Sequence, residues 1–211
     1  MPPNLRPSIL EVERKFCRLA VATLTQNGGA PPFQSLRALP TKTIHDIYYD
    51  KRNILYNAGT WVRRRNGAWE AKIRKGGDLT NSRFEELNDV RDIAACIQRI
   101  TGVGINEDAQ FGLVKMAEFT TTREAWVADG EFCIVRDRMD FGHEVGEVEL
   151  QVEMEGATEA QKRRAMAKMD ERVGDFIERY AWAFAEGKPV GKLVAYFEAK
   201  KRQAGGRNLR K

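Results

Sequence analysis

The sequence predicts an antiparallel α+β domain of about eight strands, its sheet curved or closed, with helices inserted and appended. Three observations predict it. Polar and apolar residues alternate with period two through one segment after another. Asn66-Gly67 and Asp129-Gly130 stand between such segments in the manner of hairpin turns. Helical periodicity is confined to a few stretches between and after the strands.

The elements follow in order. "ILEVERKF", Ile9 to Phe16, alternates as a first strand, and a short helical stretch is expected near Leu19 to Thr25. "NGGAPPFQ" is a loop by its Gly and Pro content. "KTIHDIYYD", Lys42 to Asp50, is rich in Ile and Tyr and predicts a strand. "TWVRRRNGAWEAKIRK" predicts two strands joined at Asn66-Gly67, and "SRFEELND" another. A helix from "NDVRDIAACIQRITG" has Val90, Ile93, Ile97 and Ile100 in register, an Asn or Asp start and a Gly stop.

Three more strands are expected in "LVKMAEFTTTREAWVA", "EFCIVRDRMDFG" and "EVGEVELQVEME". A long helix runs from Thr158 to about Glu186. Thr158 and Gln161 have capping-box spacing, and Met166, Met169, Val173, Phe176, Ile177 and Tyr180 form its buried stripe. A last helix is expected from Val190 to Lys201. The domain reading is an N-terminal extension at 1–8, one domain at 9–202 and a disordered basic tail at 203–211.

Bulk composition narrows the function classes. Apolar residues make up 42% and charged residues 31% of 211, enough for a sizeable core and against global disorder. The net charge of +5 resides largely in Lys200 to Lys211, which holds six basic residues and no acid. Without that tail the chain is near neutral, so nucleic acid is not an expected partner. Cys17, Cys96 and Cys133 are widely spaced, odd in number and without a CxxC pair, which fits a reducing compartment. No apolar run of about 18 residues argues for a membrane span, and "MPPNLRPS" lacks the apolar segment of a secretory signal. A cytoplasmic monomer is expected.

The strand faces carry the chemistry. Glu11, Glu13 and Lys15 share a face of the first strand, opposite Val12, Arg14 and Phe16. Trp61, Arg63 and Arg65 share another, as do Glu70, Lys72 and Arg74. Glu147, Glu149, Gln151, Glu153 and Glu155 alternate with Val148, Leu150, Val152 and Met154. Either the sheet has one solvated side, or it curls until its charged face lines a channel. A closed barrel of about eight strands has an interior of roughly ligand width. Both charge signs inside it need partners, and a metal polyphosphate supplies them: Arg and Lys hold phosphate oxygens, carboxylates hold hard cations.

"EVERKF" with its ExExK spacing, "YYD", "WVRRR", "WEAK", "TTREAW" and "GEVE", in this order, resemble the CYTH superfamily, or triphosphate tunnel metalloenzymes. "EVERKF", "TTR" and "GEVE" are most similar to its thiamine triphosphatase branch. The resemblance spans about Ile9 to Phe197. It implies an eight-stranded antiparallel tunnel that binds a triphosphate with Mg²⁺ or Mn²⁺. By motif, Lys15, Arg63, Arg65, Lys72, Arg123 and Lys192 would hold phosphates, with Trp61 as platform for an organic head group. Glu11, Glu13, Glu147 and Glu149 would serve the metal.

Glu85 or Glu86 would add a further carboxylate, Glu85 being favoured by the family frame. Asp137 would add another, while Val135 stands where the family carries a second aspartate. The implied activity is metal-dependent hydrolysis of a terminal phosphoanhydride, with thiamine triphosphate the first substrate. Glu147, Glu149 and Lys15 are the candidate catalytic groups, one of the two carboxylates orienting water. Tripolyphosphate hydrolysis, cyclisation of ATP and non-catalytic polyphosphate binding are the rival functions, with an RNA 5′-triphosphatase behind them. His45 and His143 are expected at the surface or in structural roles.

Overall fold

Period-two alternation closes into a ring in the computed structural model, which describes residues 8–208, with side chains to residue 205. The strands are β1 (Ser8–Phe16), β2 (Leu36–Asp50), β3 (Thr60–Arg65), β4 (Ala68–Gly77), β5 (Asn81–Leu87), β6 (Val114–Ala128), β7 (Phe132–Met139) and β8 (Glu144–Met154). The helices are α1 (Ile54–Asn57), α2 (Val90–Thr101), α3 (Glu159–Arg179) and α4 (Lys192–Asn208). Around the barrel the order is β1, β5, β4, β3, β2, β6, β7, β8, with every neighbouring pair antiparallel and β8 paired back onto β1. The first strand is therefore the seam that joins the two halves. Among the described residues no helix is long and apolar enough to cross a membrane.

Turn chemistry sets the hairpins. Asn66 and Gly67 have φ of 48° and 90°, the pair of left-handed residues that a tight hairpin requires. β2 begins at Leu36, earlier than the expected Lys42, and tolerates Pro40 because the ladder to β6 shifts between Leu39 and Lys42. A bulge removes the need for the missing N–H.

The apolar faces point outward, under the helices. Leu10, Val12, Val148, Leu150 and Ile134 pack against Met166, Met169, Val173 and Phe176 of α3. On the opposite wall Val62, Trp69 and Ala71 pack against Ile93 and Ile97 of α2. The α3 capping box predicted from Thr158 and Gln161 is present. A third cluster, Tyr48, Ala117, Phe119, Met139 and Val145, packs on the inward side of β2, β6, β7 and β8 against Leu193 of α4, and the charged faces take the rest of the interior.

Four expectations change. Leu19 to Thr25 is not helical; Leu19 forms an isolated bridge with Phe184, and Leu19 and Leu24 are drawn into the α3 core. β-branched Val21, Thr23 and Thr25 give a helix there little local support. For the same reason α3 stops at Arg179 rather than Glu186: the chain beyond it pairs with that segment through Ala20 N to Ala183 O (2.9 Å) and Ala185 N to Arg18 O (3.0 Å). The last helix starts at Lys192 and continues to Asn208, so residues 203–208 are helical where a disordered tail was expected. The extension at 1–8 loses Ser8 to β1, and residues 1–7 and 209–211 lie outside the described residues.

Candidate functional site

Within the barrel lies a cavity of about 630 Å³, roofed by the Lys188–Val194 segment that leads into α4. β1 directs Glu11, Glu13 and Lys15 into it, β3 Trp61, Arg63 and Arg65, β4 Glu70, Lys72 and Arg74, and β8 Glu147, Glu149 and Gln151. Arg123 enters from β6 and Lys192 from the first residue of α4. All six expected phosphate-binding cations thus converge on one volume. The carboxylates Glu11, Glu13, Glu147 and Glu149 share it, each no more than 8% exposed.

Each cation is held by a carboxylate. Lys15 pairs with Glu13 and lies 3.7 Å from Glu147. Arg63 donates to Glu70 (2.8 Å) and to the Tyr48 hydroxyl (3.2 Å). Arg65 grips Asp46 with two hydrogen bonds of 2.8 Å. Lys72 lies 2.7 Å from Glu11 and 3.1 Å from Glu86. Arg123 forks onto Asp137 at 2.8 and 2.6 Å and approaches Glu147 (3.8 Å) and Glu149 (4.0 Å). Lys192 lies 2.6 Å from Asp137 and 3.2 Å from Glu147. Pairing is what lets an apolar-walled barrel hold this much charge.

One expected metal ligand stands elsewhere. Glu85 is outside the barrel, 2.5 Å from Lys162 of α3 and 2.6 Å from Lys75. The register pairs Leu10 with Glu85 and Glu11 with Phe84; Leu10 faces α3, so Glu85 does too, and Glu86 is the residue that faces the cavity. Asp137 is fully buried on the inward face, cross-strand from Arg123, with its oxygens on Arg123 and Lys192, and Lys192 also reaches Glu147. Val135 is also buried in the wall, opposite Glu147, where it offers no donor.

Asp46, Tyr48 and Glu70, which hold Arg63 and Arg65, are partners that sequence reasoning did not assign. Asp46 and Tyr48 do share a face by parity, but their partners depend on the β2–β3 register. Trp61 lies at the cavity, edge-on to Phe84 (5.6 Å) and Tyr56 (6.0 Å), and also packs against the cluster that holds Tyr48 and Leu193. His45 contacts Glu118 at the surface (3.1 Å), and His143 bonds the Val190 carbonyl (2.8 Å). The three cysteines are unpaired. Cys133 is in the barrel wall opposite Glu149, where burial pushes its thiol up to about 12.

No protein-family model matches the chain. A Hippeastrum structure described as a proposed adenylyl cyclase with a dominant triphosphatase activity superposes with a TM-score of 0.50 at 16% identity. That superposition covers 89% of this chain and 95% of the other, and it establishes a shared fold. The thiamine triphosphatase of Macaca fascicularis is 29% identical over 72% of each chain. The human thiamine triphosphatase is 32% identical, covering 76% of this chain and 77% of its own. The chain belongs to the CYTH superfamily, near its thiamine triphosphatase branch.

A divalent cation is implied by this CYTH fold, and the donor set fits one. Glu11, Glu13 and Glu149 bring one oxygen each within 4.8 Å of one another. Burial, reinforced by Glu11 and Glu147, pushes Glu149 up to about 8. Burial and Glu147 likewise raise Glu13. Three buried hard donors that repel one another are the chemistry a hard cation relieves. Glu147 differs: burial resists its ionisation, but Lys192, Lys15 and Arg123 hold it well below the usual carboxylate range. In this CYTH protein the acids therefore differ in balance: burial and like charges outweigh the cations at Glu13 and Glu149, and the cations win at Glu147.

Proposed function

We propose that the chain hydrolyses the terminal phosphoanhydride of a triphosphate with a divalent metal, and that thiamine triphosphate, yielding thiamine diphosphate and phosphate, is its substrate. One observation carries the reading: six cations and a carboxylate triad converge on a single cavity. Phosphoryl transfer asks chiefly for positioning and charge neutralisation, and that set of side chains provides both. The kinship with human thiamine triphosphatase supports the choice of organic head group.

In this mechanism Arg63, Arg65 and Lys72 grip one side of the phosphate chain, and Lys15, Arg123 and Lys192 the other. Asp46 and Asp137 hold the arginine forks in place. Mg²⁺ or Mn²⁺, when bound at Glu11, Glu13 and Glu149, supplies a positive charge to phosphate oxygens. Glu147, kept ionised by three cations, accepts a hydrogen bond from the attacking water and orients it. Trp61 offers its indole beside Tyr56 and Phe84 as the platform for the head group.

Phosphate release from thiamine triphosphate, tripolyphosphate, ATP and GTP, with Mg²⁺ and with chelator, tests the reading. Turnover of thiamine triphosphate that chelator abolishes is expected, and Trp61→Ala is expected to impair that substrate more than tripolyphosphate. Turnover indifferent to chelator removes the metal, and no release from any of the four removes the activity.

A further inference from the structure

Arg74 stands apart from the paired cations. It follows Lys72 by two residues on β4, so it shares the inward face, and it lines the cavity close to Trp61 and Leu79. Its guanidinium carbon lies 4.9 Å from the centroid of the Trp61 indole. Its buried Nε has no hydrogen-bond partner, and no carboxylate is in ion-pair range of its guanidinium among the described residues. The exposed Asp78 feels its charge only from beyond contact distance. An arginine stacked on an aromatic ring keeps its N–H donors directed along the edge of its plane. Arg74 thus combines an uncompensated charge with open donors.

We infer that Arg74 is a specificity-determining substrate contact, offering its guanidinium to phosphate oxygens while holding the face of Trp61 against a cationic head group. The inference rests on the triphosphate-hydrolysis part of the reading above and qualifies its choice of head group, since Arg74 opposes the thiazolium at Trp61. A thiazolium is drawn to an indole face by cation–π attraction, but here that face already carries a cation. The thiazolium must displace Arg74 or sit beside like charge. Tripolyphosphate has no head group, so it gains the Arg74 contact and gives up nothing at Trp61. Arg74 therefore shifts the tunnel's preference from the thiamine ester toward inorganic triphosphate.

The test is steady-state kinetics of Arg74→Ala and Arg74→Gln with both substrates under saturating Mg²⁺. The KM for tripolyphosphate is expected to rise about tenfold, the size of one lost charge-assisted contact, and the KM for thiamine triphosphate to stay or fall. Arg74→Lys, which keeps the charge but not the planar fork, is expected to fall between wild type and Arg74→Gln on tripolyphosphate. Equal rises for both substrates, no change for either, or a shift toward tripolyphosphate would overturn the inference. Should the wild-type chain turn over neither compound, the triphosphatase reading fails by itself. Equilibrium titration followed by tryptophan emission then decides the role of Arg74. Weaker tripolyphosphate binding with undiminished thiamine triphosphate binding in Arg74→Gln sustains it, and parallel weakening rejects it.

Discussion

Glu85 and Glu86 are neighbours of identical chemistry with opposite fates. Lys72 brings Glu86 below the usual carboxylate value against the resistance of burial, inside the tunnel. On the outer wall burial likewise opposes ionisation of Glu85, yet Lys162 and Lys75 bring it down from 4.5 to about 2. A carboxyl lowered on folding adds stability that is complete above its unfolded value and is lost as pH falls through its folded value. Glu85→Gln should therefore melt below wild type at pH 7, match it near pH 2, and keep triphosphate turnover. Glu86→Gln should instead lose turnover, roughly tenfold for a broken charged contact. Equal turnover losses in the two variants would reject this division. The pair also shows where sequence reading stops. Phe84 lies inside with Glu86, whereas Arg83 and Glu85 lie outside, bound to Asp170 and Lys162 of α3. Hydrophobicity thus points the wrong way on β5, and only the pairing with β1 decides.

Among the elements, the β1–β8 seam depends on close approach. A Cβ added to Gly146 would come within 2.0 Å of the Phe16 ring, which is itself packed on Phe184 (4.8 Å). Gly146→Ala is expected to cost about 1–3 kcal/mol by overpacking, read as a lower urea midpoint with an unchanged slope. A variant as stable as wild type would mean that Phe16 moves aside freely. At the start of α3, Thr158→Ala removes the reciprocal cap with Gln161 and should cost about 1 kcal/mol. Because α3 covers the outside of the barrel, that loss should appear in chemical denaturation while KM for triphosphate stays unchanged. A KM shift would tie α3 to the site.

For the whole molecule, the inverted barrel makes ligand and stability interdependent. The interior holds acids and cations that pair with one another, so a metal on the acids frees cations for phosphate and phosphate on the cations frees acids for metal. Mg²⁺ and tripolyphosphate together should raise Tm by more than the sum of either alone, because each supplies the charge that the other's site lacks. At one hundred times Kd, binding stabilises by about 2.7 kcal/mol, a readily measured shift. An additive response would mean that the two charge sets act independently.

Sequence by itself determined the strands, the hairpin turns, the helix cap and which side chains share a face within each strand. All of these rest on local geometry, the two-residue pleat and the allowed backbone angles of a few turn residues. The tertiary structure decided which faces meet and which carboxylate holds which cation. It also decided that Asp137 pairs with Arg123 and Lys192, and that α3 ends at Arg179, beyond which the chain pairs with the Arg18–Ala20 segment. Those outcomes depend on inter-strand register and ring closure, where residues more than a hundred positions apart, such as Lys15 and Glu147, become neighbours. No local periodicity encodes that distance.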